Sequence, residues 1–249
     1  MPKSEPVSGQ INPDMTKQLF SETNNLKSLF ILDNECDPAQ TLLHAIKSDV
    51  LVVHYSAAET TYKELIEMIM LAPYINSVET GKPAFFNNVA FANHGGDEDW
   101  VITIDRRIKL KGEDEQGTFS NDPQAVIGAS QELWAALVCC LGPDAYDKTV
   151  KNRVDVLACE LVNSSPDLIT TLEQVFNVNF AASADKTGNI KSGADWVMET
   201  DGIDITDTYF DRTELKKYKA TMWSIWDTLD CIPLVGTVAR TGQAISCAV

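Results

Sequence analysis

The chain has 249 residues, of which 20 are Lys or Arg and 36 are Asp or Glu, so its formal net charge is −16. That length fits one large domain or two small ones, and a hydrophobic fraction of 44% is ordinary for a globular protein, which excludes disorder as the main state. The negative charge argues against a nucleic-acid partner, because phosphates repel an acidic surface. Basic partners and basic peptide substrates stay open.

The N-terminal sequence and the cysteines bear on location and cofactors. The sequence contains neither a signal-peptide core nor an apolar run of about 18 residues, so we expect no secretory signal and no membrane span. The sequence leaves two locations open: the protein is cytoplasmic, or it is carried as part of a larger assembly. The six cysteines include no CxxC pair, and the chain has only three histidines, so we expect reduced thiols, no metal and no cofactor.

Taken in chain order, the first feature is the polar segment 1–26, whose prolines predict an extended arm. Short apolar runs beyond it predict five buried strands. These are residues 28–33, 50–55, 88–93, 153–158 and 179–183. Apolar residues at helical spacing predict four helices, of which the first begins after Asp37-Pro38 and the second ends before Pro73. These are residues 39–47, 60–71, 124–141 and 165–176.

Three further segments complete the predicted organisation. Residues 100–105 predict a hairpin beside the 88–93 strand, the charged residues 106–123 predict an exposed loop, and residues 195–199 predict the return strand of a trailing hairpin. Because strands and helices alternate, we expect an α/β fold with a mainly parallel sheet and helices on both faces. Ligands of such sheets bind at the carboxyl ends of the strands.

Two of the predicted strands end in chemically reactive residues. His94 follows the 88–93 strand and Cys159 follows the 153–158 strand. If these strands are parallel neighbours, about 4.8 Å apart, both side chains emerge at one edge of the sheet. An imidazole there can take the proton of the thiol and return it to a leaving amine. Either residue alone is more often structural, whereas the two together favour a catalytic pair.

Two short segments carry a resemblance to a known superfamily. Asn93-His94-Gly95 and Ala158-Cys159-Glu160 are similar to the His-Gly and Ala-Cys motifs of the caspase-like cysteine peptidases. The longer segments 180–188 and 193–199 resemble more closely a bacterial domain of unknown function, DUF4347, which is often found in large surface or adhesin-like proteins. The resemblance extends over roughly residues 28–206.

The resemblance implies a caspase-like three-layer sandwich and endopeptidase chemistry. In that reading Cys159 attacks the scissile carbonyl, His94 protonates the leaving amine, and the backbone N–H groups of Gly95 and Cys159 hold the oxyanion. Four positions at strand ends are implied to line the pocket for the substrate residue before the cut. They are Asp33, Glu160, Ser183 and Asp185.

Three of those four pocket positions are acidic. An acidic pocket favours Arg or Lys in the substrate, because the carboxylates attract and hydrogen-bond a cationic side chain. The alternative is that these residues are solvated loop carboxylates or turn caps with no substrate to bind.

The C-terminal segment has an apolar stripe at helical spacing, beginning with Met222 and Ile225. It predicts either a final helix packed on the domain or a segment that buries its stripe in a neighbour or partner. The predicted organisation is therefore an arm over 1–26, a caspase-like domain over 27–210 and a tail over 211–249.

Two hypotheses about function follow. In the first, the protein is a cysteine endopeptidase that acts on protein or peptide substrates, cleaves after basic residues and processes itself. In the second, it is a catalytically idle caspase-like domain that serves as a structural or interaction subunit. That subunit assembles through residues 221–249, as a homo-oligomer or with a partner protein.

Overall fold

The computed structural model of the protein describes residues 26–37, 40–77, 83–95, 99–110, 122–142, 152–158 and 161–222. The predicted arm, apart from Leu26, and the predicted tail beyond Met222 lie outside these residues, as do Cys159 and Glu160. Across the described ranges, no helix has both the length and the apolar character that crossing a bilayer requires.

Five strands form the central sheet. They are β1 (Ser28–Asp33), β2 (Val50–Tyr55), β3 (Asn88–Ala92), β6 (Arg153–Leu157) and β7 (Asn179–Ala182). Their order is β2-β1-β3-β6-β7, and every neighbouring pair is parallel. The prediction of a mainly parallel sheet is confirmed, and the strands that precede His94 and Cys159 are neighbours, as the catalytic hypothesis requires.

Alternation along the strands divides the core between the two faces of the sheet. In β1, Leu29 and Ile31 pack into one buried cluster and Phe30 and Leu32 into a second, because successive side chains of a strand point to opposite faces. The described helices share these faces and complete a three-layer α/β arrangement. They are α1 (Thr41–Ala45), α2 (Tyr62–Ile75), α3 (Pro123–Ala129), α4 (Gln131–Cys139), α5 (Leu161–Ser164), α6 (Leu168–Phe176), α7 (Thr206–Tyr209) and α8 (Arg212–Leu215).

Each described helix packs on one face of the sheet, as its membership of the two buried clusters shows. Residues from α2 to α6 belong to the cluster that contains Leu29, whereas residues from α1, α7 and α8 belong to the cluster that contains Phe30. Residues 211–222, which the sequence assigned to the tail, contribute Leu215, Tyr218 and Met222 to the second cluster. The first part of the predicted tail therefore covers the sheet.

Two antiparallel pairs stand outside the main sheet. β4 (Asp99–Thr103) pairs with β5 (Arg106–Lys109), and β8 (Val197–Met198) pairs with β9 (Ile203–Asp204). The sequence placed residues 100–105 in a hairpin with the 88–93 strand, and this is wrong because β4 pairs with β5 instead. The segment predicted as an exposed loop, 106–123, begins with β5. Charged side chains concealed β5 in the sequence, because Ile108 alone among its four residues is buried.

The helix predicted over 124–141 is two helices, α3 and α4. Asp122 caps α3 by accepting from the N–H of Gln124 at 3.0 Å. The chain leaves the helical region at Ser130, where φ is −129°, and the Ser130 hydroxyl donates to the Val126 carbonyl at 2.7 Å. A serine that bonds the preceding turn competes with the helical ladder, which accounts for the break.

Helix α1 begins later than the sequence indicates, at Thr41. The Asp37 carboxylate accepts from the N–H of Leu43 at 2.7 Å and from the hydroxyl of Thr41 at 3.3 Å. Asp37 therefore caps the helix from further upstream than an ordinary N-cap does. The capping residue was recognised in the sequence, but the start of the helix was placed too early.

Helix α2 continues through Pro73, although the prediction ended it before that residue. A proline has no N–H to donate to the carbonyl four residues earlier, which here belongs to Ile69. That carbonyl instead accepts from the thiol of Cys140, whose Sγ lies 3.3 Å away at the end of α4. A neighbouring helix thus satisfies the oxygen that the proline leaves without its helical partner.

A buried polar network joins the central strand β6 to α7. Asp155 accepts from Nε of Arg153 at 2.6 Å and from the hydroxyl of Tyr209 at 2.6 Å. Burial raises the pKa of Asp155, whereas the Arg153 guanidinium and the hydrogen bonds to it lower that pKa. All three side chains are buried, so this network fixes α7 against the sheet from within.

Candidate active site

The strand order reverses at the carboxyl edge of the sheet between β1 and β3. From β1 the chain passes to β2 on one side, while β3, β6 and β7 lie on the other. Ligands of open parallel sheets bind outside the strand ends at such a point. Asp33 is the last residue of β1 and His94 lies two residues beyond β3, and these strands pair in parallel with Leu32 opposite Ala92. These two predicted site residues therefore face the same region.

Asp33 is held by backbone groups. Its side chain is 1% exposed, and Oδ1 accepts from the N–H of Ala57 at 3.0 Å and of Glu35 at 3.3 Å. Burial raises the pKa of Asp33, and these two hydrogen bonds, together with the imidazole of His94, offset part of that rise. Asp33 thus caps the turn after β1 and fixes the loop after β2. Its predicted contact with substrate stays a prediction.

Replacement of Asp33 by Asn should change how stability depends on pH. Because the pKa of Asp33 is raised in the folded protein, its carboxyl contributes less stability as the pH rises above about 4, the ordinary value of an aspartate. An Asn keeps the Oδ1 acceptor and does not ionise. We therefore expect the free energy of unfolding of Asp33→Asn, relative to the native chain, to increase from acid to neutral pH.

Urea unfolding at several pH values measures this difference, and Asp211→Asn supplies the opposite control. Asp211 accepts from the N–H groups of Thr213 and Glu214, and these bonds lower its pKa. Its contribution is present at neutral pH and is lost on acidification. Stability curves for Asp33→Asn that run parallel to those of the native chain would contradict the role given to the buried carboxyl.

The His94 side chain is half-buried and its ring is oriented by a distant backbone group. Nδ1 lies 3.0 Å from the carbonyl oxygen of Met222. A carbonyl oxygen only accepts hydrogen bonds, so in this contact Nδ1 carries the hydrogen and Nε2 of the neutral ring carries the lone pair. The preceding residue, Asn93, is fully buried and binds the β4 strand through the Val101 carbonyl and the Trp100 indole. Met222 thus holds the ring, and Asn93 holds the chain next to it on β4.

Gly95 is described and buried, whereas Cys159 and Glu160 lie outside the described residues. The register nevertheless aligns the segments that lead to the predicted pair. Ala92 of β3 is the partner of Leu157 of β6, and His94 and Cys159 each follow two residues later in the sequence. The catalytic and oxyanion roles given to these residues therefore stay predictions, and the strand pairing is compatible with them.

Ser183 and Asp185 follow β7, the outermost strand on that side. Ser183 is buried, and its Oγ donates to the carbonyl of Asp185 at 3.1 Å and accepts from the N–H of Asp185 at 3.3 Å. Ser183 therefore shapes the turn that presents the exposed Asp185 carboxylate. Two strands, β3 and β6, separate this turn from Asp33, about 14 Å of sheet at the usual strand spacing. The three described pocket residues, Asp33, Ser183 and Asp185, are thus spread along the edge.

Asp185 belongs to an acidic cluster with Asp195 and Glu199. One carboxylate oxygen from each residue lies within 4.8 Å of the other two. Partial burial and the charges of Glu199 and Asp195 raise the pKa of Asp185. A cationic group placed among them would relieve the repulsion. Of the described residues, these are the ones whose oxygens are near enough to one another to hold a cation together.

Sequence reasoning missed two parts of this site. Asp195 and Glu199 lie in the segment that carries the resemblance to DUF4347, but the sequence analysis assigned them only to the return strand of a trailing hairpin. The contact between His94 and Met222 joins residues 128 positions apart. Such a contact has no local signature in the sequence.

Comparison with models of protein families finds a match in part of the chain. The model of a domain of unknown function, DUF4347, matches residues 146–222. No curated protein and no solved structure matches the chain. The resemblance to DUF4347 is confirmed over that segment, which contains β6, β7, the acidic cluster and Met222 but not His94. The chain is similar to this domain from β6 to the end of the described residues.

Proposed function

We propose that the protein is a cysteine endopeptidase of caspase-like fold whose catalytic pair is Cys159 and His94. The observation that carries the proposal is the pairing of β3 with β6 as parallel neighbours, in a register that aligns the residues before His94 with those before Cys159. The Nδ1 contact with Met222 supports it further, because it leaves the lone pair on Nε2 for proton transfer.

The proposed reaction has two stages, formation of a thioester and its hydrolysis. His94 Nε2 takes the thiol proton, the Cys159 sulfur bonds to the scissile carbonyl carbon, and the backbone N–H groups of Gly95 and Cys159 stabilise the oxyanion. The C–N bond then breaks as His94 returns the proton to the leaving amine, which gives a thioester. Water, deprotonated by the same imidazole, attacks the thioester and releases the carboxylic acid and the thiol.

The acidic cluster supports a preference for basic substrates. Asp185, Asp195 and Glu199 lie at the end of β7, beside β6, the strand that leads to Cys159. Burial, and after it the charges of Glu199 and Asp195, raise the pKa of Asp185, and the side chain of Arg or Lys would relieve the repulsion among the three carboxylates. Glu160, which was predicted to share this pocket, lies outside the described residues.

Labelling with a thiol-directed peptide probe tests both claims. We expect a probe with Arg before the warhead to modify Cys159, and a probe with Leu there to react at least about tenfold more slowly. Asp185→Asn should reduce that difference. Peptide mapping by mass spectrometry identifies the modified residue.

The other cysteines supply the control. Cys139 is exposed, whereas Cys36 and Cys140 are buried, and burial raises the pKa of Cys140 to about 12. An ordinary exposed thiol such as Cys139 should react slowly and without regard to the peptide. Equal labelling of Cys139 and Cys159 would refute the enzyme and favour an interaction subunit that assembles through residues 221–249.

A further inference from the structure

The described chain ends in a short segment, residues 218–222, that lies on the loop after β7. We call it the C-terminal strap. The Met222 N–H donates to the Thr187 carbonyl at 2.9 Å, and the Asn189 N–H donates to the Ala220 carbonyl at 3.0 Å. The Asn189 amide also donates to the Lys219 carbonyl at 3.1 Å. Three hydrogen bonds therefore hold the strap along this loop.

Both ends of the strap are anchored in the core. The Tyr218 hydroxyl donates to the Cys36 carbonyl at 2.7 Å, and the Tyr218 ring lies 5.9 Å from that of Trp196. Met222 is fully buried. A segment with a buried residue at each end and backbone bonds between them has little freedom to shift.

Because Gly188 has no side chain, the strap can pack directly against the loop after β7. Its φ is +136°, and a Cβ at this position would lie 2.8 Å from the Thr221 Cα and 2.9 Å from the Ala220 carbonyl oxygen. Both of these are backbone atoms, so a larger residue could be accommodated only if the strap moved. Gly193, in the same loop region, also has a positive φ of +76°, but a Cβ there would have no neighbouring atom within 4 Å.

The strap brings the Met222 carbonyl to Nδ1 of His94, at 3.0 Å. We propose that the C-terminal strap is the positioning element of the site, which holds the His94 imidazole as the Nδ1–H tautomer and so leaves Nε2 as the proton acceptor. Its consequence for catalysis rests on the function proposed above. The orientation of the His94 ring does not rest on that function, because it depends only on the contact between the strap and the ring.

The proposed proton transfers explain why the orientation of the His94 ring matters. Nε2 has to accept the thiol proton and later release it to the leaving amine, so both the tautomer and the ring orientation must be correct at each step. A displacement of about 1 Å in a catalytic group can cost about 100-fold in rate. The Met222 carbonyl fixes the ring without an ionisable side chain, so its hold does not itself titrate.

Comparison of Gly188→Ala with Gly193→Ala in the full chain tests the proposal. Long-range ¹H–¹⁵N spectra at about pH 8, where an ordinary imidazole is neutral, report which ring nitrogen carries the hydrogen. The His94 signals are identified by their loss in His94→Gln. We expect Nδ1–H in the native chain and in Gly193→Ala, and a mixture of tautomers in Gly188→Ala.

Kinetics give the second measurement. We expect kcat of Gly188→Ala to fall about 10- to 100-fold with little change in KM, because ring position and not substrate binding is altered. If Gly188→Ala does not fold, Asn189→Asp serves in its place, since it keeps the acceptor for the Lys191 N–H and loses the donor to Lys219.

The possible outcomes separate this proposal from the proposed function. Nε2–H in the native chain, or the same tautomer in the native chain and both strap variants, overturns the positioning role. Faster cleavage by a strap variant also overturns it, because the strap would then obstruct the site. A changed tautomer in a chain that cleaves nothing supports the positioning role and instead counts against the endopeptidase.

Discussion

Replacement of Cys159 by alanine should lower the rate of peptide cleavage by about 10⁴-fold or more, because no other group is proposed to form the thioester. His94→Ala should cause a loss of similar size. The double variant should be no worse than either single variant, since the two residues act as one unit. Steady-state cleavage of a peptide with Arg before the scissile bond measures all three rates.

Two matched substitutions show whether these losses are specific. His54 lies near the end of β2 and is half-buried like His94, and Cys139 is an exposed thiol. His54→Ala and Cys139→Ala should cleave at the native rate. Full activity in Cys159→Ala would end the catalytic hypothesis, and a loss in His54→Ala as large as in His94→Ala would show that the assay reports stability and not chemistry.

Arg153→Met should destabilise the fold by about 3–5 kcal/mol at neutral pH, because it leaves Asp155 buried without its cation. The pKa of Asp155 is already raised by burial, and loss of Arg153 raises it further. A carboxyl whose folded pKa is raised costs stability as the pH rises through that pKa. The destabilisation should therefore shrink on acidification. Guanidinium unfolding at neutral and acid pH measures it.

Removal of the whole network should cost far less than removal of one member. In Arg153→Met, Asp155→Leu and Tyr209→Phe combined, no charge or hydroxyl is left unpaired, and Nη2 of Arg153, which has no hydrogen-bond partner among the described residues, is lost as well. Lys63→Ala breaks an exposed pair with Glu67 and should cost at most about 0.5 kcal/mol. A small effect of Arg153→Met would show that the buried pair contributes little.

The sheet could be predicted because its strands are buried on both faces and read as continuous apolar runs. The runs of β1 and β2 matched the strands to the residue. The pairing of β3 with β6 was only a condition of the catalytic hypothesis, and the sheet fulfils it. The elements that were missed depend on other parts of the chain. Ser130 breaks a helix through its own hydroxyl, and Pro73 is tolerated in α2 because Cys140 supplies a substitute donor.

The candidate site could be predicted only in part, for the same reason. A strand followed by His-Gly is a local pattern, so His94 could be found from the sequence. The orientation of its ring depends on Met222, and the charge that surrounds Asp185 depends on the fold of the hairpin that carries Glu199. Tertiary contacts of this kind cannot be read from composition or spacing.

The 128 positions between His94 and the carbonyl that orients it have a consequence for the order of events during synthesis. While the ribosome is still translating, β3 has an unpaired edge until residues 153–157 emerge, and the imidazole lacks its anchor until Met222 does. A nascent chain therefore cannot orient the His94 ring through this contact before almost the entire described domain has left the exit tunnel. The contact that orients the His94 ring is thus among the last of the described contacts that can form during synthesis.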